Sequence, residues 1–195
     1  MVARKTRSRI IDAAIRIVRE NAPTKLTLDE AARQAGLSKG GVLYHFASKD
    51  ELIEAMIERL VRDQETRLLQ LYEQEPQGPY RWLRAYVRYF FDPGSPGSDP
   101  ASSACLAAMA LNPAMLKPVN TMMKLSMKRI MSDAPDRDRA ALISMGLDGL
   151  FLNQAMGFQL YDDETLARLR GNLLSGLLAG EDETPGRPVA AASAS

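Results

Sequence analysis

Residues 27–52 carry unusually dense helix punctuation. The segment reads TLDEAARQAGLSKGGVLYHFASKDEL. Thr27 with Glu30 three residues later is the capping-box pattern, which starts a short helix over 28–34. Gly36 stops it, as a residue free to adopt positive φ. Ser38 starts another helix over 39–45, and Ser48, followed by Asp50 and Glu51, starts a long one over about 48–75. Two short helices joined by a tight turn at Ala35, Gly36 and Leu37 make a helix-turn-helix. Its second helix would enter a DNA major groove by its N-terminal end. Gly40 and Gly41 lower helix propensity there by roughly 1 kcal/mol each relative to Ala. In exchange the backbone can come close to a duplex, and N–H groups at a helix start suit phosphate oxygens. The plainer alternative is a poorly formed helix.

Net charge is only +1 over 195 residues, but it is unevenly distributed. Residues 1–49 hold ten Lys/Arg and four acids; the remainder holds 15 basic and 20 acidic residues. A basic head on an acidic body suits a polyanion partner for the head, unless the asymmetry is chance. No apolar run approaches the length of a membrane span. The basic start has no signal-peptide apolar core. The single cysteine, Cys105, excludes an intrachain disulfide. These features point to a cytoplasmic protein.

Elsewhere period-2 alternation is absent and the helical period prevails. Residues 6–21 place Ile10, Ala13, Ala14, Ile17 and Val18 on one face. Further helices are expected over 80–91, 101–111, 113–131, 136–159 and 163–179. The stretch 92–103 reads as a loop rich in Pro, Gly and Ser, and Gly180 as a stop. Residues 181–195 have no apolar face and are expected to be disordered. The expected fold is all-α: a helix-turn-helix head over 1–50 and a larger helical body over 51–180, joined by the helix that begins near residue 48.

Residues 6–55 resemble the DNA-binding domain of the TetR/AcrR family of transcriptional regulators. The resemblance rests on the Ile/Ala-rich first helix, T-L-D-E-A-A at 27–32, A-G-L-S-K-G at 35–40, Y-H-F at 44–46 and S-K-D-E-L at 48–52. It implies an all-helical chain with a C-terminal ligand-binding and dimerisation domain, and repression relieved by a small molecule. One departure stands out. Members often carry Tyr three residues before the Phe equivalent to Phe46; here Leu43 holds that place and Tyr44 follows, about 100° further round a helix.

The residues expected to meet DNA are Thr27, Ser38, Lys39, Gly40, Gly41, Tyr44, His45 and Lys49. Lys39 is the candidate for a base edge, since Lys donates to guanine O6 and N7. Lys49 would take a phosphate, or be a plain surface lysine. Thr27 caps its helix and could also reach a phosphate. His45, the only histidine, lacks both a catalytic partner and a second metal ligand at usable spacing; DNA-backbone contact and a structural role remain. Arg4, Lys5 and Arg7 either follow the DNA as a basic arm or are solvated.

In the body, aromatic and methionine side chains suggest an apolar pocket, weighed against plain core packing. The residues assigned to it are Trp82, Tyr86, Phe90, Met109, Met123, Met127, Asp148 and Leu152. Asp148, in MGLDGLF, needs a partner if buried: an arginine, a backbone group or a ligand. Cys105 is read as a small buried hydrophobe rather than a thiol sensor. The helix over 136–159 is apolar almost all round, so it must be buried in a core or an interface. With the helix over 163–179 it would form a four-helix interface between two subunits, as the resemblance implies, through Leu147, Leu150, Phe151, Leu166, Leu169, Leu173 and Leu177. A homodimer would fit a near-palindromic operator on double-stranded DNA.

No nucleotide-binding, metalloprotease or hydrolase motif is present, so neither catalysis nor a metal or cofactor is expected. The reading is a regulator, most simply a repressor released from its operator by a small, largely apolar effector. The alternatives are a DNA-binding regulator without small-molecule control and, more remotely, a helical enzyme.

Overall fold

The computed structural model describes residues 2–21, 23–91 and 96–179. Among them every regular element is helical. The head comprises α1 (Val2–Glu20), α2 (Leu28–Ala35) and α3 (Lys39–Leu43); the long α4 (Lys49–Gln74) leads into the body. The body adds α5 (Arg81–Phe91), α6 (Pro100–Leu111), α7 (Lys117–Ser132), α8 (Arg137–Ala155) and α9 (Asp163–Ala179). The expected stop at Gly180, the tail 181–195 and part of the 92–103 loop lie outside the described residues.

The punctuation works as its chemistry requires. The Thr27, Ser38 and Ser48 hydroxyls accept from the N–H groups of Glu30, Gly41 and Glu51 at 3.0, 3.1 and 3.1 Å. Gly36 sits at φ 64° and ψ 42°. There the N–H of Leu37 reaches Ala32 O and that of Gly36 reaches Arg33 O, the two bonds of a Schellman motif. The Arg9 guanidinium donates to Ala35 O at 2.6 Å and ties the turn to α1.

Five boundaries differ from expectation. The first helix begins at Val2 rather than at residue 6. The second short helix ends at Leu43, because the N–H of His45 bonds three residues back to Val42 O and tightens the last turn. The region read as loop to residue 103 is helical from Pro100, because Asp99 caps it through the Ala101 N–H at 3.0 Å. Residues Pro113–Leu116 form a separate 3-10 turn, capped by Asn112. The apolar helix over 136–159 ends at Ala155, where Gly157 at φ 81° closes a second Schellman turn.

Three apolar clusters lie among the described residues. The head cluster gathers Ile10, Ile17, Ala31, Val42, Phe46, Leu52, Met56 and others, and includes Ala101 of α6. A body cluster joins Leu68 and Leu71 to Leu83, Val87, Phe90, Ile130, Leu147 and Leu177. A smaller one between them holds Ile57, Cys105, Met109 and Met115. Thus α4 contributes to all three, and α6 to the first and third.

The α4–α5 corner is built on a buried ion cluster. Glu75 and Arg84 are both almost inaccessible. The Arg84 Nε donates to Glu75 Oε2 at 2.9 Å, and its other nitrogens donate to the carbonyls of Pro76 and Pro79. Arg88 takes the second carboxylate oxygen. Removing one partner strands a buried charge, so Glu75→Ala should lower unfolding free energy by about 3–5 kcal/mol, measured by urea denaturation. Loss of the exposed Arg33–Glu30 pair through Arg33→Ala should cost far less, since solvent screens it.

Candidate nucleic-acid interface and body cavity

The residues expected to meet DNA are all at least partly accessible in the head. Thr27, Ser38, Lys39, Gly40, Tyr44 and Lys49 are exposed, and Gly41 and His45 are half-buried. Tyr44 is 81% exposed and its neighbour Leu43 is 42% exposed. The His45 ring packs edge-on against Tyr44 at 5.0 Å. Lys39 Nζ lies 3.0 Å from Asp29 Oδ1, but both side chains are well exposed. Such a pair is worth little in water and opens readily toward a polyanion. The Thr27 and Ser38 oxygens accept cap hydrogen bonds through lone pairs, leaving each hydroxyl proton free to donate outward.

The two glycines have no internal explanation. A Cβ at Gly40 would meet nothing within 4 Å, and one at Gly41 would make ordinary contacts with Ser38 and Leu37 at 3.4 and 3.8 Å. Neither has positive φ. The chain itself therefore tolerates alanine at both.

Arg4, Lys5 and Arg7 are not an extended arm. They belong to the first turns of α1, and the Arg7 guanidinium lies 4.9 Å from the Phe46 ring centroid.

The body forms a partly open cavity of about 110 Å³ between α4, α5, α6, α7 and α8. Of the eight residues assigned to a pocket, Tyr86, Phe90, Met109, Met123 and Asp148 line it. Trp82, Met127 and Leu152 do not. Trp82 stacks on Tyr72 at 3.8 Å with Arg129 over its ring, on the outer side of α5. Met127 lies half-buried on α7 away from the lining, and Leu152 is 48% exposed. Unanticipated lining residues are Ile57, Leu60, Val61 and Gln64 of α4, and Ser102, Cys105 and Leu106 of α6. Helical period marks the apolar ones as inward but cannot separate core from cavity wall. Burial pushes the Cys105 thiol up to about 12, which keeps it protonated.

Asp148 projects from α8 into this cavity. Its Oδ1 accepts from the Tyr86 hydroxyl at 3.0 Å. Burial raises the carboxyl above its ordinary value, and Tyr86 offsets only part of the rise.

The interface residues divide. Leu147 and Leu177 are buried in the chain's own body cluster, with Leu173 packed against it, and Phe151 lines the cavity at 6.3 Å from the Phe90 ring. Leu150 and Leu166 are half-buried beside the α8–α9 turn. Leu169 remains exposed, with Leu142, Met145, Leu152, Met156 and Leu178. Residues 142, 145, 149, 152 and 156 follow helical spacing along one face of α8. A Cβ at Gly149 within that row would meet nothing. The helix expected to be buried all round thus buries one side in its own chain and leaves the other open.

Head and body meet through α6. Arg19 of α1 holds Asp99, the cap of α6, by hydrogen bonds of 3.0 and 3.3 Å from Nε and 2.7 Å from Nη2. Burial pushes the Asp99 carboxyl up, but Arg19 and the Ala101 N–H together hold it below its ordinary value.

A family model described as bacterial regulatory proteins, tetR family, matches residues 10–56. One described as the tetracyclin repressor-like C-terminal domain matches residues 80–177, half the chain. The transcriptional regulator BetI of Burkholderia ambifaria strain MC40-6 is 29% identical over 185 residues, covering 90% of this chain and 95% of its own. A transcriptional regulator from Rhodococcus sp. Rha1 superposes with a TM-score of 0.63 at 23% identity, over 92% of this chain and 99% of that one. The multidrug binding protein EbrR, crystallised with imidazole, gives 0.60 at 24% identity over 87% and 89%. With an all-helical body and a helix-turn-helix at its head, the chain belongs to the TetR family of DNA-binding transcriptional regulators.

Proposed function

We propose that the protein is a homodimeric repressor that leaves a near-palindromic operator when a small, largely apolar molecule enters the body cavity. The DNA half of the reading is carried by Gly40: a helix residue that costs stability, faces open space and has no internal need to be glycine. A duplex approaching that side supplies the missing reason. Lys39 lies beside it for a base edge, and Lys49, at the first turn of α4, for a phosphate. The open row on α8, with Gly149 in its middle, is the surface offered to a second subunit, together with Leu169 and Leu178 of α9. Two heads then span two half-sites about 34 Å apart or a multiple of it.

The effector half follows from size and connection. Ligand pockets usually measure about 300–1,000 Å³, well above the cavity's 110 Å³. A ligand of ordinary size that seats fully within it would push a wall outward. One wall is α6, through Ser102, Cys105, Leu106 and Met109. The same helix places Ala101 in the head cluster and holds Arg19 through Asp99. A shift of α6 therefore carries α1 and the recognition helix with it, and changes the spacing of the heads. EbrR, a similar structure described as multidrug binding, supports control by a small-molecule effector.

Fluorescence anisotropy on DNA from upstream of the protein's own gene, against scrambled DNA, tests the DNA half. Selective binding that weakens steeply with salt is expected, because neutralised phosphates release counterions; a flat salt response would exclude the phosphate contacts. Lys49→Ala should weaken binding to both DNAs alike, whereas Lys39→Ala should narrow the difference between them. Gly40→Ala gives the sharper result. It should stabilise the free protein by up to about 1 kcal/mol while weakening operator binding. A variant that gains stability and binds undiminished would refute the close approach.

A further inference from the structure

Among the described lining residues of the cavity Asp148 is the one acidic side chain, and no basic side chain lines it. Glu75, Glu65 and Asp99 each face an arginine. Asp148 does not: among the described residues its hydrogen bond is to the Tyr86 hydroxyl, and no Lys or Arg pairs with it. A half-buried carboxylate without a cation either holds a proton, the direction in which burial pushes Asp148, or gains from a cation brought beside it. Around it stand aromatic rings. Tyr86 and Phe90 meet edge-to-face at 4.7 Å, Phe151 continues the row, and all three line the cavity. Ring faces attract cations. The remaining lining is mostly apolar, with Leu60, Val61, Leu106 and Met109, and adds the neutral polar side chains of Gln64 and Ser102.

We infer that the cavity selects an organic cation, a protonated amine whose N–H donates to Asp148 while its apolar body lies against Phe90, Phe151 and Met109. This rests on the reading of the cavity as an effector site and names the class of effector. The carboxylate would accept a charge-assisted hydrogen bond, and the cation would remove the cost of leaving Asp148 alone. A neutral ligand of the same shape leaves that cost in place, and an anion adds repulsion. The cavity's 110 Å³ sets the size of the first probe. An engineered apolar cavity of about 150 Å³ in another protein takes benzene, so a single ring is the right scale.

Benzylammonium, benzyl alcohol and benzoate share one ring and differ in charge. Calorimetric titration of the full chain with each, below the pKa of the amine, separates the possibilities. Benzylammonium should bind about tenfold or more tightly than benzyl alcohol, the ratio a single charge-assisted contact can supply, and benzoate should not bind measurably. Asp148→Asn should erase the preference for the cation and keep the alcohol. Tyr86→Phe, which leaves the carboxylate in place, should keep the preference and serves if Asp148→Asn does not fold. Alcohol or benzoate binding as tightly as the amine would overturn the cation assignment and leave the effector cavity standing. So would an Asp148→Asn protein that folds and still prefers the amine. Absence of binding by all three probes would overturn both.

Discussion

One rod, α4, bears on every apolar cluster of the molecule. Its 26 residues run for about 39 Å at the rise of an α-helix. Leu52 and Met56 belong to the head cluster, Ile57 to the middle one, and Leu68 and Leu71 to the body. Neither end can turn freely, because close-packed interiors do not deform continuously. At its far end the buried Glu75–Arg84 pair fixes the corner into α5. At its near end Ser48 and Glu51 fix the entry: the Ser48 hydroxyl accepts from Glu51 N, and the Glu51 carboxylate accepts from Ala47 N at 2.8 Å. Whatever moves the head must therefore act on α4 or beside it.

The second link, α6, lies beside it. This helix carries little charge and buries small residues, Ala101 and Cys105, on its inward sides. Small side chains let it sit close to α1 and α4 at once. At Cys105 the small side chain also leaves room for the cavity, which a larger one there would reduce. The cavity and the head–body junction are thus two faces of one helix. The Arg19–Asp99 pair is the polar end of that junction, and it lies where α6 begins, on the head side of the cavity.

Much of this was legible in the sequence, for a definite reason. Caps and stops depend on near neighbours, so Thr27, Ser38, Ser48 and Gly36 declared the helix-turn-helix directly. Apolar period likewise marked α1 and α9. What depends on distant partners was not legible. Leu147 and Leu177 have the same pattern as interface residues, yet their own chain covers them. Trp82 has the character of a pocket residue, but Tyr72 and Arg129 sandwich it on the outside. The lining contributed by α4 was hidden because a wall residue and a core residue look alike in a helical repeat. Asp148 was legible as an anomaly, a lone acid in an apolar run. Its partner, Tyr86, is 62 residues away and could not be read from spacing.

The account turns on the claim that cavity and operator are coupled through α6. The most direct measurement is the operator affinity, by fluorescence anisotropy, with and without a ligand shown to occupy the cavity, for the wild-type chain and for Arg19→Ala. Linkage requires that a ligand which weakens DNA binding is itself bound more weakly by the DNA complex, by the same factor. The account predicts a loss of operator affinity on ligand binding in the wild-type protein, and a smaller loss in Arg19→Ala. An occupied cavity with unchanged operator affinity would contradict it.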